Sequence, residues 1–169
     1  RFLKAALVTP AGIKLIREFV GDDSLKILDA VKSFVEKYDG KEKSKDIEKQ
    51  IFKTGIQAAL LYRQKKISND LFPEAVLAIH TVCSKLIDGY EIPFSFEPMG
   101  IIQSMRILQE VLCQILQPHL PPPEIQKIHF LFDYLTNEEL LYEFFTKTKH
   151  PECKVLGTTL RKMWDKRLV

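Results

Sequence analysis

Apolar side chains recur every three or four residues along almost the whole sequence, and no convincing two-residue alternation interrupts them. This spacing puts apolar residues on one face of an α-helix and argues against a half-buried strand. One clear stripe follows the acidic Asp22-Asp23-Ser24 stretch, which offers an N-cap. It predicts a helix to about residue 38 with these inward residues: Leu25, Leu28, Val31, Val35 and Tyr38. The pattern predicts an all-α fold.

Glycine and proline mark where the predicted helices begin and end. Gly40 breaks the first helix, and a long helix follows over about residues 43–64. Pro98, Pro123 and Pro151 each suit the first turn of a further helix, since the missing N–H of proline is not needed there. These signals divide the chain into short segments of helical length.

The remaining segments are also helical. Asn69 or Asp70 is expected to cap a helix with these inward residues: Val76, Ile79, Val82, Cys83 and Leu86. Thr136 or Asn137 is expected to cap the helix "EELLYEFF", and one more helix is expected at the N-terminus, through Phe19. The sequence therefore predicts six to eight helices.

These helices are expected to form one domain over residues 1–169. A chain of 169 residues is long enough for one well-buried core. The connectors are short, and "EIPFSFEP" (91–98) is predicted to be extended because its prolines disfavour helix in the residues before them. The expected architecture is an antiparallel helical bundle.

The helix at about 43–64 is unusually apolar and ends in cations. Its sequence "IFKTGIQAALLYR" places apolar residues on nearly all sides, so it is expected to be buried on nearly all sides. Arg63, Lys65 and Lys66 follow directly. The question is what so apolar a helix faces, and why a cationic cluster lies at its end.

Charge along the chain is uneven, although the net charge is only +3. Residues 41–66 hold eight lysines or arginines against three acids, and residues 147–167 hold seven against two. Solvated helix faces would explain part of this excess. Two basic segments on an otherwise acidic chain favour an anionic partner such as phosphorylated lipid, a membrane surface or nucleic acid.

Location is indicated by cysteines and hydropathy. Three widely spaced cysteines are typical of reduced thiols in the cytosol. No apolar run reaches the roughly 18 to 20 residues of a membrane span. "RFLKAALV" is too short and mixed for a secretory signal, and a start at Arg1 is consistent with a longer N-terminal tail. We expect a cytoplasmic protein that associates peripherally with membranes.

Motifs for catalysis and cofactor binding are absent from the sequence. It contains no phosphate-binding glycine loop, no HExxH, no GxSxG and no CxxC. His80 and Cys83 have a spacing that two metal ligands could use, but without a second pair they are expected to be packed helix residues. His119 and His129 are expected to be structural or exposed, and Cys113 to be a small core residue. No enzyme, metal or cofactor is expected.

The helices carry more apolar surface than a single packing seam needs. A well-filled core explains this excess. A hollow bundle that takes up hydrocarbon explains it too, provided that the cavity is long and dry, because each buried methylene contributes only about 0.8 kcal/mol. Both interpretations stay open on composition alone.

Several segments together resemble the tumour-necrosis-factor-alpha-induced protein 8-like family. They are "GDDSLKILDAVKSFVEKY", "IFKTGIQAALLYR", the His-Leu pair at 119–120 and "KIHFLFDYLTNEELL", and the similarity runs from about Leu7 to Met163. The resemblance implies a helical bundle around a large hydrophobic cavity, with no catalytic activity. It further implies binding of phosphoinositides and other phospholipids, lipid transfer, and influence on survival and immune signalling.

The resemblance also implies where a lipid would bind. Lys53, Arg63 and Lys127 match basic positions of the family, and the local charge adds Lys65 and Lys66, so these five are the expected head-group ligands. Arg63 would make bidentate contacts to phosphate. The expected cavity lining is apolar: Phe52, Ile56, Ala59, Leu60, Leu108, Leu112, Ile115, Ile128, Leu131, Phe132, Leu156 and Leu160.

Two other functions stay open. A lipid-independent all-α adaptor for signalling proteins in apoptosis would need a filled core and an exposed patch. Nucleic-acid binding is compatible with the basic segments, but no recognition fold or interleaved aromatic platform supports it, so no nucleic-acid partner is expected.

Overall fold

The computed structural model describes residues 10–92, 96–146 and 150–167, and every regular element in these ranges is helical. The seven α-helices are α1 (Pro10–Asp39), α2 (Lys41–Arg63), α3 (Leu71–Glu91), α4 (Pro98–Leu116), α5 (Pro122–Leu135), α6 (Glu138–Thr146) and α7 (Pro151–Asp165). A 3-10 turn, Gln117–His119, joins α4 to α5. The predicted all-α bundle of six to eight helices is confirmed.

Some sequence expectations concern residues outside these ranges. The residues concerned are the N-terminal residues 1–9, the centre of the expected extended connector at 93–95, and Lys147 and Lys149 of the second basic segment.

Most predicted helix starts agree with the structure. Proline lies in the first turn of α4 at Pro98 and of α7 at Pro151. Helix α5 begins at Pro122, one residue before the predicted Pro123. Gly40 separates α1 from α2 with a φ of 93°, a conformation that glycine adopts without steric cost.

The capping predictions are confirmed for α6 but not for α3. The Leu140 N–H donates to Oδ1 of Asn137 at 3.0 Å, as the sequence predicts. At α3, Asp70 makes no side-chain cap, and the Leu71 N–H instead donates to Oγ of Ser68 at 3.2 Å. Ser68 lies three residues before the N–H that it satisfies, which is the same spacing as at α6.

Helix α1 consists of two helical parts divided at Gly21. The backbone of Gly21 has φ 75° and ψ 166°, which no helix contains. The sequence predicted this division as a separate N-terminal helix through Phe19, followed by a second helix from the acidic stretch. A positive φ at this point favours glycine, so the break is set by the residue type.

The helices pack around one another in an order that separates α2 from α3. Helix α1 packs against α2 and α7, and α3 packs against α4 and α7. Helix α5 contacts both α2 and α4. Helix α2 contacts α4 and α5 more extensively than it contacts α3, its neighbour in sequence. The two helices therefore diverge from the turn that joins them.

The largest apolar cluster lies where α1, α3, α4, α6 and α7 meet. It includes Phe34 of α1, Cys83 of α3 and Leu156 of α7. Helix α7 approaches α3 closely at Gly157, where an added Cβ would lie 2.1 Å from Cγ of Tyr90. Only glycine fits this contact.

The last predicted inward residue of α1, Tyr38, is exposed. It lies one residue before the helix ends, and its ring stacks on Phe34 with centroids 5.7 Å apart. The side chain covers the edge of the core without entering it.

Helix α2 is buried on more than one side, which its composition predicted. Ile56 and Leu61 are both buried, and they lie well apart around the helix. The Thr54 hydroxyl is also buried and donates to the Gln50 carbonyl at 2.9 Å, so the helix backbone satisfies it. Contacts with α1 and with α4 and α5 account for this burial.

Candidate functional site

One face of α3 is apolar and open to solvent. Phe72, Val76 and Ile79 follow one another at intervals of four and three residues and share this face. Their exposed fractions are 39%, 50% and 43%. The prediction that Val76 and Ile79 point inward is therefore wrong. Helical periodicity identifies an apolar face correctly, but it does not say whether another helix covers it.

The same face enters the core further along the helix. Cys83 lies four residues after Ile79 and is buried in the largest apolar cluster, together with Leu156 and Leu160 of α7. The apolar surface of α3 therefore runs from solvent into the interior. An apolar path along α3 thus leads from solvent to the edge of the packed core.

An aromatic pair stands at the outer end of this path. The ring of Tyr62, in the last turn of α2, stacks on Phe72 with centroids 4.9 Å apart and planes inclined by 17°. Tyr62 is 58% exposed. We call residues 62–80 the α2–α3 corner, which contains this pair, the turn between the helices and the open half of α3.

The turn after α2 carries the predicted cations in a defined backbone geometry. The Lys66 N–H donates to the Leu61 carbonyl and the Lys65 N–H to the Tyr62 carbonyl, which closes the helix in a Schellman motif. Lys65 occupies the left-handed position of this motif with a φ of 56°. Glycine is usual there, because a Cβ makes the left-handed conformation unfavourable.

The cations of the corner and the other two predicted head-group residues, Lys53 and Lys127, have different surroundings. Arg63, Lys65 and Lys66 are all exposed. Within the described parts of the chain, Lys65 and Lys66 form no ion pair. Two positive charges at the corner are therefore available to an anionic ligand.

Lys53 and Lys127, by contrast, share one carboxylate. Glu124, in the first turn of α5, forms ion pairs with Lys53 through Oε2 and with Lys127 through Oε1, the latter at 3.1 Å. The Lys53 and Glu124 side chains are only 16% and 22% exposed. Hydrogen bonding from Lys53, aided by Lys127, holds the pKa of Glu124 below its usual value, although partial burial opposes this.

The five predicted head-group residues thus form two groups. Lys53 and Lys127, 74 positions apart in sequence, meet at Glu124, whereas Arg63, Lys65 and Lys66 lie together at the corner. Lys53 precedes Arg63 by ten residues, which is about 15 Å along the helix. Their role as lipid ligands stays a prediction.

The predicted cavity-lining residues are distributed over three apolar clusters. Leu156 and Leu160 belong to the largest, and Leu131 packs with Val35 and Ile47 in a small one. A third cluster contains Leu108, Leu112, Ile115, Ile128 and Phe132. Ile56 is buried, and Phe52, Ala59 and Leu60 are half-buried. A single cavity lined by all twelve residues stays a prediction.

A chain of polar side chains links α4 to α5, and no local pattern in the sequence predicts it. Arg106 donates to Oε1 of Gln109 at 2.8 Å, and Nε2 of Gln109 lies 2.6 Å from Nδ1 of His129. Nε2 of His129 lies 4.0 Å from Sγ of Cys113. Because Arg106 occupies the amide oxygen, the Gln109 amide must donate to Nδ1, so the proton of a neutral His129 is on Nε2.

This tautomer determines what the Cys113–His129 pair can do. Nε2–H points toward the sulfur and cannot accept a proton from it, so His129 does not act as a base toward the thiol. Burial also raises the pKa of the Cys113 thiol. Both effects oppose nucleophilic chemistry. His129 is structural, as expected, but Cys113 packs beside an imidazole as well as against core side chains.

A buried carboxylate joins α7 to α1. Oε1 of Glu152 accepts hydrogen bonds from Ser33 at 2.9 Å and from Lys37. Among the described residues Oε2 has no partner. Burial alone would raise the pKa of Glu152, but the Lys37 ammonium, the local backbone N–H and the Ser33 hydroxyl together lower it. Glu152 therefore contributes to the packing of α7 as a charged group.

Metal ligation and membrane spanning find no support in the described ranges. No three His, Cys, Asp or Glu side chains converge there to hold a metal ion. The His80 ring stacks on Trp164 with centroids 4.1 Å apart, while Cys83 is buried and its thiol pKa is raised to about 11 by desolvation. None of the described helices combines the length and apolar character that a bilayer span requires.

Comparison with known proteins agrees with this architecture. Over residues 3–167 the sequence matches the family described as tumor necrosis factor alpha-induced protein 8-like. Tumor necrosis factor alpha-induced protein 8 from Homo sapiens is 25% identical over 153 residues, covering 86% of this chain and 77% of that protein. Protein salivary glands marred from Drosophila melanogaster is 26% identical over 161 residues, covering 93% and 85%.

A solved structure shares the fold. The C-terminal region of G-protein interacting protein 1 from Dictyostelium discoideum superposes with a TM-score of 0.73 at 17% identity, over 91% of this chain and 98% of that one. At this identity the likeness concerns the fold alone. From the family match over nearly its whole length, the chain belongs to the tumor necrosis factor alpha-induced protein 8-like family.

Proposed function

We propose that this protein binds phospholipids with phosphorylated head groups, such as phosphoinositides, and that it does so at membrane surfaces as part of a signalling process. Membership of the family supports a role of the family's signalling type. Proteins of this family are not known as enzymes, and we propose that this chain too acts by binding its ligand.

The open apolar face of α3 carries the proposal. It begins next to the cations Lys65 and Lys66 and continues to the buried Cys83. A phospholipid has the same order of properties along its length, from an anionic head group to hydrocarbon. Cations followed by an apolar path therefore fit a phospholipid better than they fit a uniformly polar ligand.

Hydrocarbon burial supplies affinity only when many methylenes are covered. At about 0.8 kcal/mol for each methylene, eight covered groups would contribute about 6 kcal/mol. The bilayer offers the same environment, so a short contact at the surface would not extract a lipid. Continuation of the apolar face of α3 into the interior is the feature that would allow a longer contact.

The phosphate groups would be held by the corner first. Arg63 offers a planar guanidinium suited to two hydrogen bonds with phosphate. Lys65 and Lys66 add charge, since neither is held in an ion pair by the residues that the structure describes. Lys53 and Lys127 would join only if phosphate displaces Glu124 from them. The arrangement thus favours an accessible pair of lysines at the corner and a second pair whose charge is partly offset by Glu124.

Native mass spectrometry and vesicle binding test this proposal. We expect phosphoinositide adducts on the wild-type chain and salt-sensitive binding to vesicles that contain anionic lipid. Ile79→Asp should weaken adduct formation at least tenfold, because a carboxylate would lie on the apolar path. Ile107→Asp is the matched control, since Ile107 is equally apolar and 56% exposed but lies on α4.

Two outcomes would contradict the proposal. Equal adduct formation by the two variants would show that the apolar face of α3 does not hold the lipid. Equal binding of the wild-type chain to neutral and anionic vesicles would remove the electrostatic part. If no lipid binds at all, the lipid-independent adaptor predicted as the alternative becomes the function to test.

A further inference from the structure

We infer that the α2–α3 corner is a docking surface for an anionic lipid bilayer, with the Tyr62–Phe72 pair entering the interfacial layer and Lys65 and Lys66 lying at the lipid phosphates. The inference rests on the proposed function, because it names the surface through which a lipid would reach the apolar face of α3. It assigns a role to exposed aromatic side chains that head-group binding leaves unused.

The aromatic pair has the properties of an interfacial anchor. Two exposed rings stacked at 4.9 Å hold each other in place, so little side-chain freedom remains to be lost on docking. Tyrosine combines an apolar ring with a polar hydroxyl and is enriched where membranes meet water. The stacked pair Phe96–Phe145 has similar geometry, but Phe145 is buried in the core. Stacking at the corner stabilises no comparable core.

The charge around the aromatic pair matches an anionic surface. Lys65 and Lys66 lie within four residues of Tyr62 and have no ion pair in the described parts of the chain. Juxtaposed lysines near a negatively charged leaflet are attracted over about a Debye length. Lys65 carries one of these charges although its backbone has the left-handed conformation in which glycine is usual.

The acidic residues of the corner lie on the side of α3 away from the aromatic pair. Asp70 and Glu74 are each two residues from Phe72, which places them about 200° around the helix from its ring. Their carboxylates would therefore not face the bilayer together with Phe72. Exposed cations follow Tyr62 within four residues, and the acids nearest Phe72 lie on the other side of α3, whereas a basic protein partner would require those acids.

Docking at the corner would also bring lipid to the interior path. Val76 and Ile79 follow Phe72 on the same face of α3, and that face leads to the buried Cys83. An acyl chain leaving the bilayer beside Phe72 would meet apolar side chains at each successive turn. A bilayer is therefore favoured over a second protein as the occupant, because it supplies both the anionic surface and the hydrocarbon.

Vesicle flotation of the full chain tests the inference. The probes are phosphatidylcholine vesicles with and without phosphatidylserine. We expect the double variant Tyr62→Ser with Phe72→Ser to bind the anionic vesicles at least tenfold more weakly than the wild type. Phe130→Ser is the control, since Phe130 is an exposed aromatic, 62% accessible, on α5. It should change binding less than twofold.

A second measurement separates docking from lipid binding. Dioctanoyl phosphatidylinositol phosphate, used below its micelle concentration, reports binding of single lipid molecules without a bilayer. If the inference holds, the double variant binds this lipid within threefold of wild type while its vesicle binding falls. If the wild type binds neither probe, the proposed function itself fails.

Two results would overturn the docking inference alone. One is equal binding of the double variant and the wild type to anionic vesicles, with the soluble lipid still bound. The other is a wild-type chain that does not bind vesicles but forms a concentration-dependent dimer in sedimentation, while the double variant stays monomeric. The corner would then be an interface between copies of this chain.

Discussion

Replacing Glu124 by glutamine should strengthen the binding of anionic lipid while weakening the fold. Glu124 pairs with both Lys53 and Lys127, and its pKa is lowered chiefly by Lys53, so it is charged at neutral pH. The carboxylate therefore occupies the place that a phosphate would take between the two ammonium groups. Glutamine keeps the shape and one acceptor oxygen but removes the charge.

The size of the effect follows from the local charge. Two lysines and one carboxylate sum to one positive charge, and Glu124→Gln raises this to two. A lysine near an anionic surface contributes about 1 kcal/mol. The gain is about 1 kcal/mol if the change acts as one unit of charge and about 2 kcal/mol if both lysines become available, or roughly five-fold to thirty-fold in affinity.

The same substitution should lower the free energy of unfolding. The Lys53 side chain is largely buried, and removing the charge of its partner costs about 1 to 2 kcal/mol. Calorimetric titration with a soluble phosphoinositide and urea unfolding measure the two effects separately. Glu48→Gln is the matched control, because Glu48 pairs with Lys32 at 3.1 Å and has similar exposure. It should change affinity less than twofold.

An unchanged or weaker affinity of Glu124→Gln would refute the reasoning. It would mean that phosphate does not compete for Lys53 and Lys127, so the two predicted residues would be structural. A gain of equal size in Glu48→Gln would show a general charge effect with no role for the position.

Three further predictions concern stability. Lys65→Gly should raise the melting temperature by roughly 2 to 4 °C, because relief of the left-handed backbone gains about 1 kcal/mol, whereas Lys66→Gly should not raise it. Gly157→Ala should lower the free energy of unfolding in urea by about 1 to 3 kcal/mol, because the new Cβ would meet the Tyr90 side chain. Gly55→Ala, which has open space around it, should raise that free energy by up to about 1 kcal/mol. Because the fold lowers the pKa of Glu152, its charge contributes stability that is present above the unfolded pKa of about 4.3 and is lost as pH falls from there through the lower folded pKa. In urea unfolding, Glu152→Gln should therefore reduce the acid-induced loss of unfolding free energy below about pH 5.

Local signals in the sequence predicted the helices well. Pro98, Pro151 and Asn137 act on the residues beside them, and their effects are visible in the spacing of the chain. Gly40 and Gly21 break the helical path with positive φ angles, and glycine is the residue that tolerates them. The family resemblance added the expectation that these helices form one bundle.

Contacts between distant residues could not be predicted in the same way. The pairing of Lys53 with Glu124 joins residues 71 positions apart, and no local pattern marks it. The spacing of Val76 and Ile79 is that of a buried stripe and predicts both residues in the core. Whether such a stripe is covered depends on where the other helices lie, which the spacing of one helix does not contain.

Photo-crosslinking with a phosphoinositide that carries a diazirine in its acyl chain would test the central claim most directly. The account predicts adducts on α3 between Phe72 and Cys83, located by mass spectrometry of the digested chain, and their loss in Ile79→Asp. Adducts confined to other exposed apolar positions such as Ile107 or Phe130, or spread evenly over the surface, would contradict it. The apolar face of α3 would then not be where this protein holds lipid.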